Sequence, residues 1–165
     1  TALRFAYPAA VAFELSAVIG GGPTVTELGD SMQSPVVALD QSFALLPWTS
    51  RDQAGPRGVA TPSELVMFEY LDDELLQHLK RISHQGPVAY VEAEFFGGQG
   101  EQSAAVLHRG AVQWVRQGGG EWPGSPISQA LRQIGVVAAG GKDEFDTLGL
   151  GRHRRTHDWL SEGCH

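Results

Sequence analysis

VAYVEAEFFGGQGEQSAAVLHRGAVQWV, at residues 88–115, is the stretch of sequence that decides the fold. Its first part, residues 89–96, alternates apolar side chains on one face with mixed acidic and aromatic side chains on the other. A period of two is typical of an antiparallel strand that buries one face. A glycine-rich turn follows, residues 104–107 return, Arg109 and Gly110 turn again, and residues 111–115 leave. The stretch therefore predicts a three-stranded meander at the centre of the fold.

Before the meander, the sequence predicts two helices and a hairpin. Residues 9–19 are the most apolar run and are interpreted as a helix that three glycines end, with a buried strand as the alternative. The polar residues 23–34 predict a loop with a strand fragment. Two short apolar runs on either side of residues 40–42 predict a hairpin. After a strand or irregular stretch at 64–71, the apolar stripe of residues 73–82 predicts the second helix.

After the meander, Ser125 and Pro126 are a good start for a short helix, and Gly135 is a good end. Residues 136–138 predict one more strand, and Trp159 is expected to anchor the tail. A length of 165 residues and an apolar content of 42% suit one globular domain over residues 1–165. We therefore predict an α+β fold, in which two or three helices pack on an antiparallel sheet built on the meander.

The charge balance limits the classes of partner. The chain carries 12 basic and 19 acidic side chains, for a net charge of −7. Such a chain lacks the basic surface of a nucleic-acid-binding protein, and anionic membranes repel it. The apolar run at 9–19 is too short to span a bilayer, and no basic segment typical of a signal peptide precedes it. The single cysteine, Cys164, cannot form an internal disulfide, so we expect a cytoplasmic protein.

The mixed face of the first meander strand supplies the first candidate binding site. Tyr90, Glu92 and Glu94 share this face, and Glu101 follows the glycine-rich turn. Neighbouring carboxylates can divide the roles of acid and base if their environments differ. The simpler explanation is a solvated face, which antiparallel sheets commonly have. The sequence leaves both explanations open.

Two short motifs resemble catalytic ones without their context. Gly29-Asp30-Ser31 resembles the nucleophile block of the SGNH esterases, but no Asp-x-x-His follows near the C-terminus to supply the base. We therefore expect a polar turn at Ser31. The glycines at 97–100 resemble a phosphate loop, but such loops lead into a helix, and this one leads into a strand. A hairpin turn is the better interpretation.

A basic run near the C-terminus supplies the second candidate binding site. Arg152, Arg154 and Arg155 either form local ion pairs with the acidic residues at 143–146 or bind an anionic ligand or partner carboxylates. Potential metal ligands also occur in this region, namely His153, His157, Cys164 and His165. A closed zinc site needs four ligands at suitable spacing, and that spacing is absent, so no metal and no cofactor are predicted.

Part of the chain resembles small uncharacterised bacterial α+β proteins, some of which look like immunity proteins encoded beside toxins. The similar segments are the run at 93–100, the helix at 128–135, and the runs at 143–146 and 149–153. The resemblance implies no catalytic residues. We therefore expect a non-enzymatic module that binds a protein partner such as a basic toxin or nuclease. The alternative is a small hydrolase that uses the Glu92/Glu94 face or Ser31, and a pocket converging on these side chains would favour it.

Overall fold

The computed structural model describes residues 12–49, 65–96, 99–119 and 125–163. In these residues, six strands form one sheet and five helices cover it. The strands are β1 (Phe13–Gly21), β2 (Val37–Ala38), β3 (Phe43–Pro47), β4 (Val88–Phe96), β5 (Gln99–His108) and β6 (Ala111–Gly118). The helices are α1 (Gly22–Met32), α2 (Asp73–Ile82), α3 (Pro126–Gln133), α4 (Glu144–Thr147) and α5 (Thr156–Gly163).

The sheet has the order β2-β3-β1-β4-β5-β6, and each neighbouring pair is antiparallel. The predicted α+β class with an antiparallel sheet is therefore confirmed. The predicted meander is present as β4, β5 and β6. It forms one side of the sheet rather than its centre, because β1 pairs with the outer side of β4. The helices are also more numerous than the two or three that we predicted.

Both faces of the central part of the sheet are buried. One face packs against α1, α2 and the irregular segment 65–71, in a core that contains Val18, Leu46 and Leu79. The other face packs against α3, α4 and α5, in a core that contains Val91 and Trp159. The prediction that β4 buries only one face is therefore wrong for residues 88–93. Helices cover the second face of the sheet, and the alternation within β4 does not reveal them.

Two assignments near the N-terminus are corrected. Residues 13–21 form strand β1, the alternative that we considered for the apolar run, and the loop predicted at 23–34 contains helix α1. Six consecutive residues of β1 are buried, which gives a continuous apolar run without alternation. Helix α1 has few apolar residues, but Pro23 suits its first turn, and packing of Val25 and Leu28 against the sheet stabilises it.

The other predicted elements agree better with the structure. Helix α2 begins after Asp72, whose carboxylate accepts a hydrogen bond from Leu75 N at 2.8 Å. Helix α3 follows Ser125, and β2 and β3 form the predicted hairpin. Residues 65–71 are irregular and residues 136–138 are not a strand, whereas residue 64 and the glycines at 97 and 98 lie outside the described residues. No described helix is long and apolar enough to cross a membrane.

Gly29 allows α1 to lie close to the loop that follows it. A Cβ atom at this position would lie 2.4 Å from Val36 Cγ2 and 3.0 Å from Ser34 O. We therefore expect Gly29→Ala to lower the free energy of unfolding by about 1–2 kcal/mol, because overpacking outweighs the gain in helix propensity. Urea unfolding measures the change. Ser31→Ala, at an exposed position of the same helix, is the control and should stay near wild type. An unchanged midpoint for Gly29→Ala would show that Val36 moves aside.

Candidate functional site

An open pocket of about 320 Å³ lies on the α1/α2 face of the sheet, beside the turn between β4 and β5. The end of the sheet forms its floor, and the irregular segment 65–71 forms one wall. The carboxylates that line it are Glu14, Glu69, Glu92, Glu94 and Glu101. None of the described lining residues is a lysine, arginine or histidine. We call this site the acidic pocket.

The strand register places three of these glutamates in one row. Glu14 lies opposite Glu94 in the β1/β4 pair, and Glu94 lies opposite Glu101 in the β4/β5 pair. Directly opposed residues of antiparallel strands project from the same face, and like charges at such positions are destabilising. The structure therefore brings together Glu94 and Glu101, which the sequence suggested, and adds Glu14, which it did not.

Glu14 is only partly available to a ligand. Its Oε1 accepts a hydrogen bond of 2.9 Å from Thr156 N, at the first residue of α5. A helix N-terminus favours a carboxylate, so this contact reduces the repulsion within the row. The side chains of Glu94 and Glu101 are exposed, and the carboxylate of Glu101 accepts a 3.4 Å bond from Gln117. The two central acids of the site are therefore Glu94 and Glu101.

Glu92 has a structural role at the base of the pocket. It is only 9% exposed, so the solvated face that we considered for this residue is wrong. Its Oε1 accepts a hydrogen bond from Glu69 N at 2.7 Å, and its Oε2 accepts bonds from Tyr70 N at 2.9 Å and the Tyr90 hydroxyl at 2.6 Å. The carboxylate thus ties segment 65–71, which has no regular secondary structure to hold it, to the sheet.

Tyr90 lies beneath the acidic pocket rather than in its lining. Its ring is fully buried and packs edge-on against Phe68, with 5.2 Å between the ring centroids. The hydroxyl group donates to Glu92. Tyr90 therefore supports the wall of the site through Glu92, and a ligand in the pocket would not touch it.

The pKa of Tyr70 reflects the negative charges around the pocket. Burial raises the pKa of its phenol above the ordinary value, and the negative charges of Glu69, Glu94, Glu14 and Glu92 raise it further. The backbone of Tyr70 is held on both sides, because its carbonyl accepts a 2.7 Å bond from Trp48 Nε1 and its N–H donates to Glu92. The ring is therefore a fixed aromatic surface beside several carboxylates.

Removing one of these charges should change the titration of Tyr70. We expect Glu94→Gln to lower the pKa of Tyr70 relative to wild type, because one of the charges that oppose its ionisation is lost. NMR of the Tyr70 ring during a pH titration measures the change. The control, Asp40→Asn, removes an exposed carboxylate from the 3₁₀ turn between β2 and β3 and should leave the pKa of Tyr70 unchanged. Equal shifts in both variants would contradict a local effect.

The arginine side chains of the basic run do not line this pocket, although the backbone of Arg154 adjoins Glu14, whose N–H donates to Arg154 O at 2.9 Å. Arg152 pairs with Glu162 at 3.0 Å, and its guanidinium lies 4.7 Å from the centroid of the Trp159 ring. The side chains of Arg154 and Arg155 are exposed, and no ion pair joins either of them to a described residue. The ion pairs seen in this part of the chain therefore differ from local pairing with residues 143–146, which was one of the two alternatives for the basic run.

The acids at 143–146 have partners on other elements. Asp143 accepts a 3.1 Å bond from Ser128 Oγ and caps α4, because its other oxygen accepts a bond from Asp146 N. Glu144 is buried and pairs with Arg132 of α3 at 2.9 Å. This hydrogen bond raises the pKa of Arg132, as does the charge of Glu144. These contacts join α3 to α4 and suggest a structural role for the acids.

The remaining candidates also lie outside the lining of the pocket. Ser31 lies in α1 rather than in a turn. Its Oγ accepts a 3.3 Å bond from Arg81, and among the described residues no histidine accepts a hydrogen bond from it, as a catalytic base would. His153 precedes α5 and contacts Glu162, whereas His157 lies within the helix. No group of three or more His, Cys, Asp or Glu side chains able to hold a metal occurs in the described ranges, and Cys164 and His165 lie outside them.

Two parts of the site, Glu14 and segment 65–71, are not indicated by the sequence pattern. The predicted helix over residues 9–19 would not place Glu14 opposite Glu94, as strand β1 does. The segment carries Glu69 and Tyr70 into the site without any regular pattern. Comparisons of the chain with protein-family models, with curated proteins and with solved structures find no match.

Proposed function

We propose that the protein is a non-enzymatic binding module that recognises a positively charged segment of another protein through the acidic pocket. The observation that carries the proposal is the row of Glu14, Glu94 and Glu101 across three neighbouring strands. Such a row opposes folding, because its charges repel each other. A cation bound between Glu94 and Glu101 would reduce this repulsion. The binding free energy would therefore come from relief of the charge repulsion that is present in the free protein.

The lining of the pocket suits a lysine or arginine side chain. Phe96 is 70% exposed at the mouth, and Tyr70 and Met67 form the wall above the carboxylates. Aromatic faces attract cations, and the apolar stems of lysine and arginine pack on such surfaces while the charged ends reach the carboxylates. An exposed phenylalanine next to a group of glutamates is thus favourable for a basic side chain and unfavourable for an acidic one.

The charge of the whole chain supports a macromolecular partner. A net charge of −7 attracts basic proteins over distances beyond direct contact and speeds their association. A basic toxin or nuclease fits this description, and the resemblance to immunity-like proteins points to the same class. We propose a cytoplasmic role of this inhibitory kind.

The alternative function, a small hydrolase, has one observation in its favour, since Glu92 and Glu94 line the same pocket. Acid–base catalysis needs a carboxylate that can exchange a proton with the substrate. Both oxygens of Glu92 accept hydrogen bonds from the protein, and Ser31 lies on α1, outside the lining. The non-enzymatic proposal is therefore preferred.

Calorimetric titration with a short oligo-lysine peptide tests the proposal. We expect Glu94→Gln/Glu101→Gln to weaken binding by about three- to tenfold, because two partly exposed ion pairs contribute ~1 kcal/mol together. The matched control is Asp30→Asn/Asp40→Asn, which removes the same number of exposed carboxylates elsewhere. It should retain most of the affinity. Added salt should weaken wild-type binding.

Three results would contradict the proposal. Equal losses in the two double variants would mean that the peptide responds to net charge alone. Undetectable binding to the wild-type protein at low salt would remove the basic segment as a ligand. Turnover of an ester or glycoside substrate that disappears in Glu94→Gln would favour the hydrolase instead.

A further inference from the structure

The two edges of the sheet differ in a way that bears on how a partner could bind. One edge is β2, which contains two residues, and the other is β6, which contains eight. Apart from its pairing with β5, no backbone hydrogen bond joins β6 to a described residue. An edge strand offers a row of N–H and C=O groups to an additional strand, and short strands limit that risk. Only β6 is long enough to accept a strand of ordinary length.

The sequence of β6 lacks most of the features that protect an edge. AVQWVRQG contains no lysine and no proline, and Arg116 is its only charged residue. A register shift between Val106 and Leu107 leaves Gln113 as an extra residue, and this bulge interrupts the strand near its start. The five residues 114–118 beyond the bulge keep a regular register with β5. These residues form the accessible part of the edge.

This part of β6 adjoins the acidic pocket. Gln117 lines the pocket and lies opposite Ser103, which also lines it. Trp114 and Arg116 project from the other face, where Arg116 lies 5.7 Å from the centroid of the Trp114 ring and donates a 3.0 Å bond to Gln129 of α3. On one face, a strand added to β6 would have the glutamates of the acidic pocket on the far side of β6. On the other face, it would lie beside Trp114 and Arg116.

We propose that the basic segment binds as an additional β-strand along residues 114–118 of β6. Because side chains alternate along a strand, the segment would alternate basic residues, which reach across Gln117 to Glu101, with apolar residues, which pack beside Trp114. Arg116 repels a basic residue on the second face. This inference rests on the proposed function and specifies how the same pocket reads its partner.

Charge selects this occupant over a second copy of the chain. Pairing β6 with β6 of another copy would bring together two proteins of net charge −7, each with its acidic pocket beside the shared edge. A basic strand meets the opposite potential at the same place. The adjacent acids thus disfavour self-association and favour a basic partner.

Four peptides with the same lysine and valine content test the inference. The first peptide alternates lysine and valine, and the second carries the same residues in two blocks. The third is the alternating peptide in which the backbone nitrogen of each valine is methylated. We expect the alternating peptide to bind about tenfold more tightly than the block peptide, and methylation on the paired edge to weaken it about tenfold, because it removes main-chain hydrogen bonds. A fourth peptide, methylated at the lysine positions, covers the opposite strand orientation.

Hydrogen exchange locates the added strand. The amides of residues 114–118 that point away from β5 should exchange about tenfold more slowly when the alternating peptide is bound, while those of β2, the other edge, should not change. If all the peptides bind equally and β6 amides stay unprotected, the pocket binds cations without strand addition and this inference is wrong. If no peptide binds, the proposed function itself fails. Protection of β6 that rises with protein concentration alone would identify a second copy as the occupant.

Discussion

Replacing Glu92 by alanine is expected to lower the free energy of unfolding by about 3–5 kcal/mol. The substitution removes the acceptor for two backbone N–H groups, those of Glu69 and Tyr70, and for the hydroxyl of the fully buried Tyr90. A buried donor without an acceptor carries the full loss of its hydration. The effect should therefore exceed that of deleting an ordinary partly buried side chain.

Urea unfolding of three variants separates this role from general charge effects. Glu92→Gln keeps one acceptor oxygen, so its loss should be smaller than that of Glu92→Ala. Glu94→Ala removes an exposed carboxylate two residues away and should change stability by less than about 1 kcal/mol. If Glu92→Ala unfolds at the same urea concentration as wild type, the carboxylate is not the anchor of segment 65–71.

Replacing Trp159 by alanine is the second substitution with a large expected effect, a loss of about 3–5 kcal/mol. The side chain is 0% exposed and belongs to the core on the α3/α5 face of the sheet. The Arg152 guanidinium lies over the Trp159 ring, and His153 packs edge-on against this ring with 4.7 Å between the ring centroids. Its removal leaves a large cavity and loosens the C-terminal segment from β1.

Thermal and urea unfolding check this expectation against two controls. Phe96→Ala deletes another aromatic ring at an exposed position and should be nearly neutral. Trp159→Phe should lower the free energy of unfolding less than Trp159→Ala does, because phenylalanine keeps most of the side-chain volume. It also removes the buried indole N–H, for which the described residues offer no hydrogen-bond partner. A midpoint for Trp159→Ala close to wild type would mean that α5 does not contribute to the core.

The sequence correctly predicts those helices and strands whose apolar pattern corresponds to burial of a single face. Helix α2 has an apolar stripe and an aspartate cap, and its predicted bounds agree with the structure. Strand β1 lies between β3 and β4 under helices on both faces, so its buried residues show neither a helical period nor alternation. A pattern argument fails at this strand because full burial removes the contrast on which it depends.

The candidate site was foreseen only in part, for a related reason. Glu94 and Glu101 face each other across a hairpin, and nearness in sequence makes such a pair visible. Glu14 joins them across a strand pair whose partners are separated by about half of the chain. Glu92 carries a carboxylate, and residue type alone predicts that a carboxylate faces solvent. Hydrogen bonds from the backbone of a distant segment nevertheless hold it in the interior.

The way in which β1 is completed has a consequence for synthesis of the chain on the ribosome. Strand β3 pairs with residues 17–21 of β1, whereas the edge at residues 14–16 is completed in part by the segment before α5. Glu14 N donates to Arg154 O, and Ser16 N donates to Thr156 Oγ1, each at 2.9 Å. The first described strand therefore waits for residues 154–156 to emerge. During elongation the meander can form from local contacts, but the edge of β1 stays open, and a chaperone that covers it would act until those residues have left the ribosome.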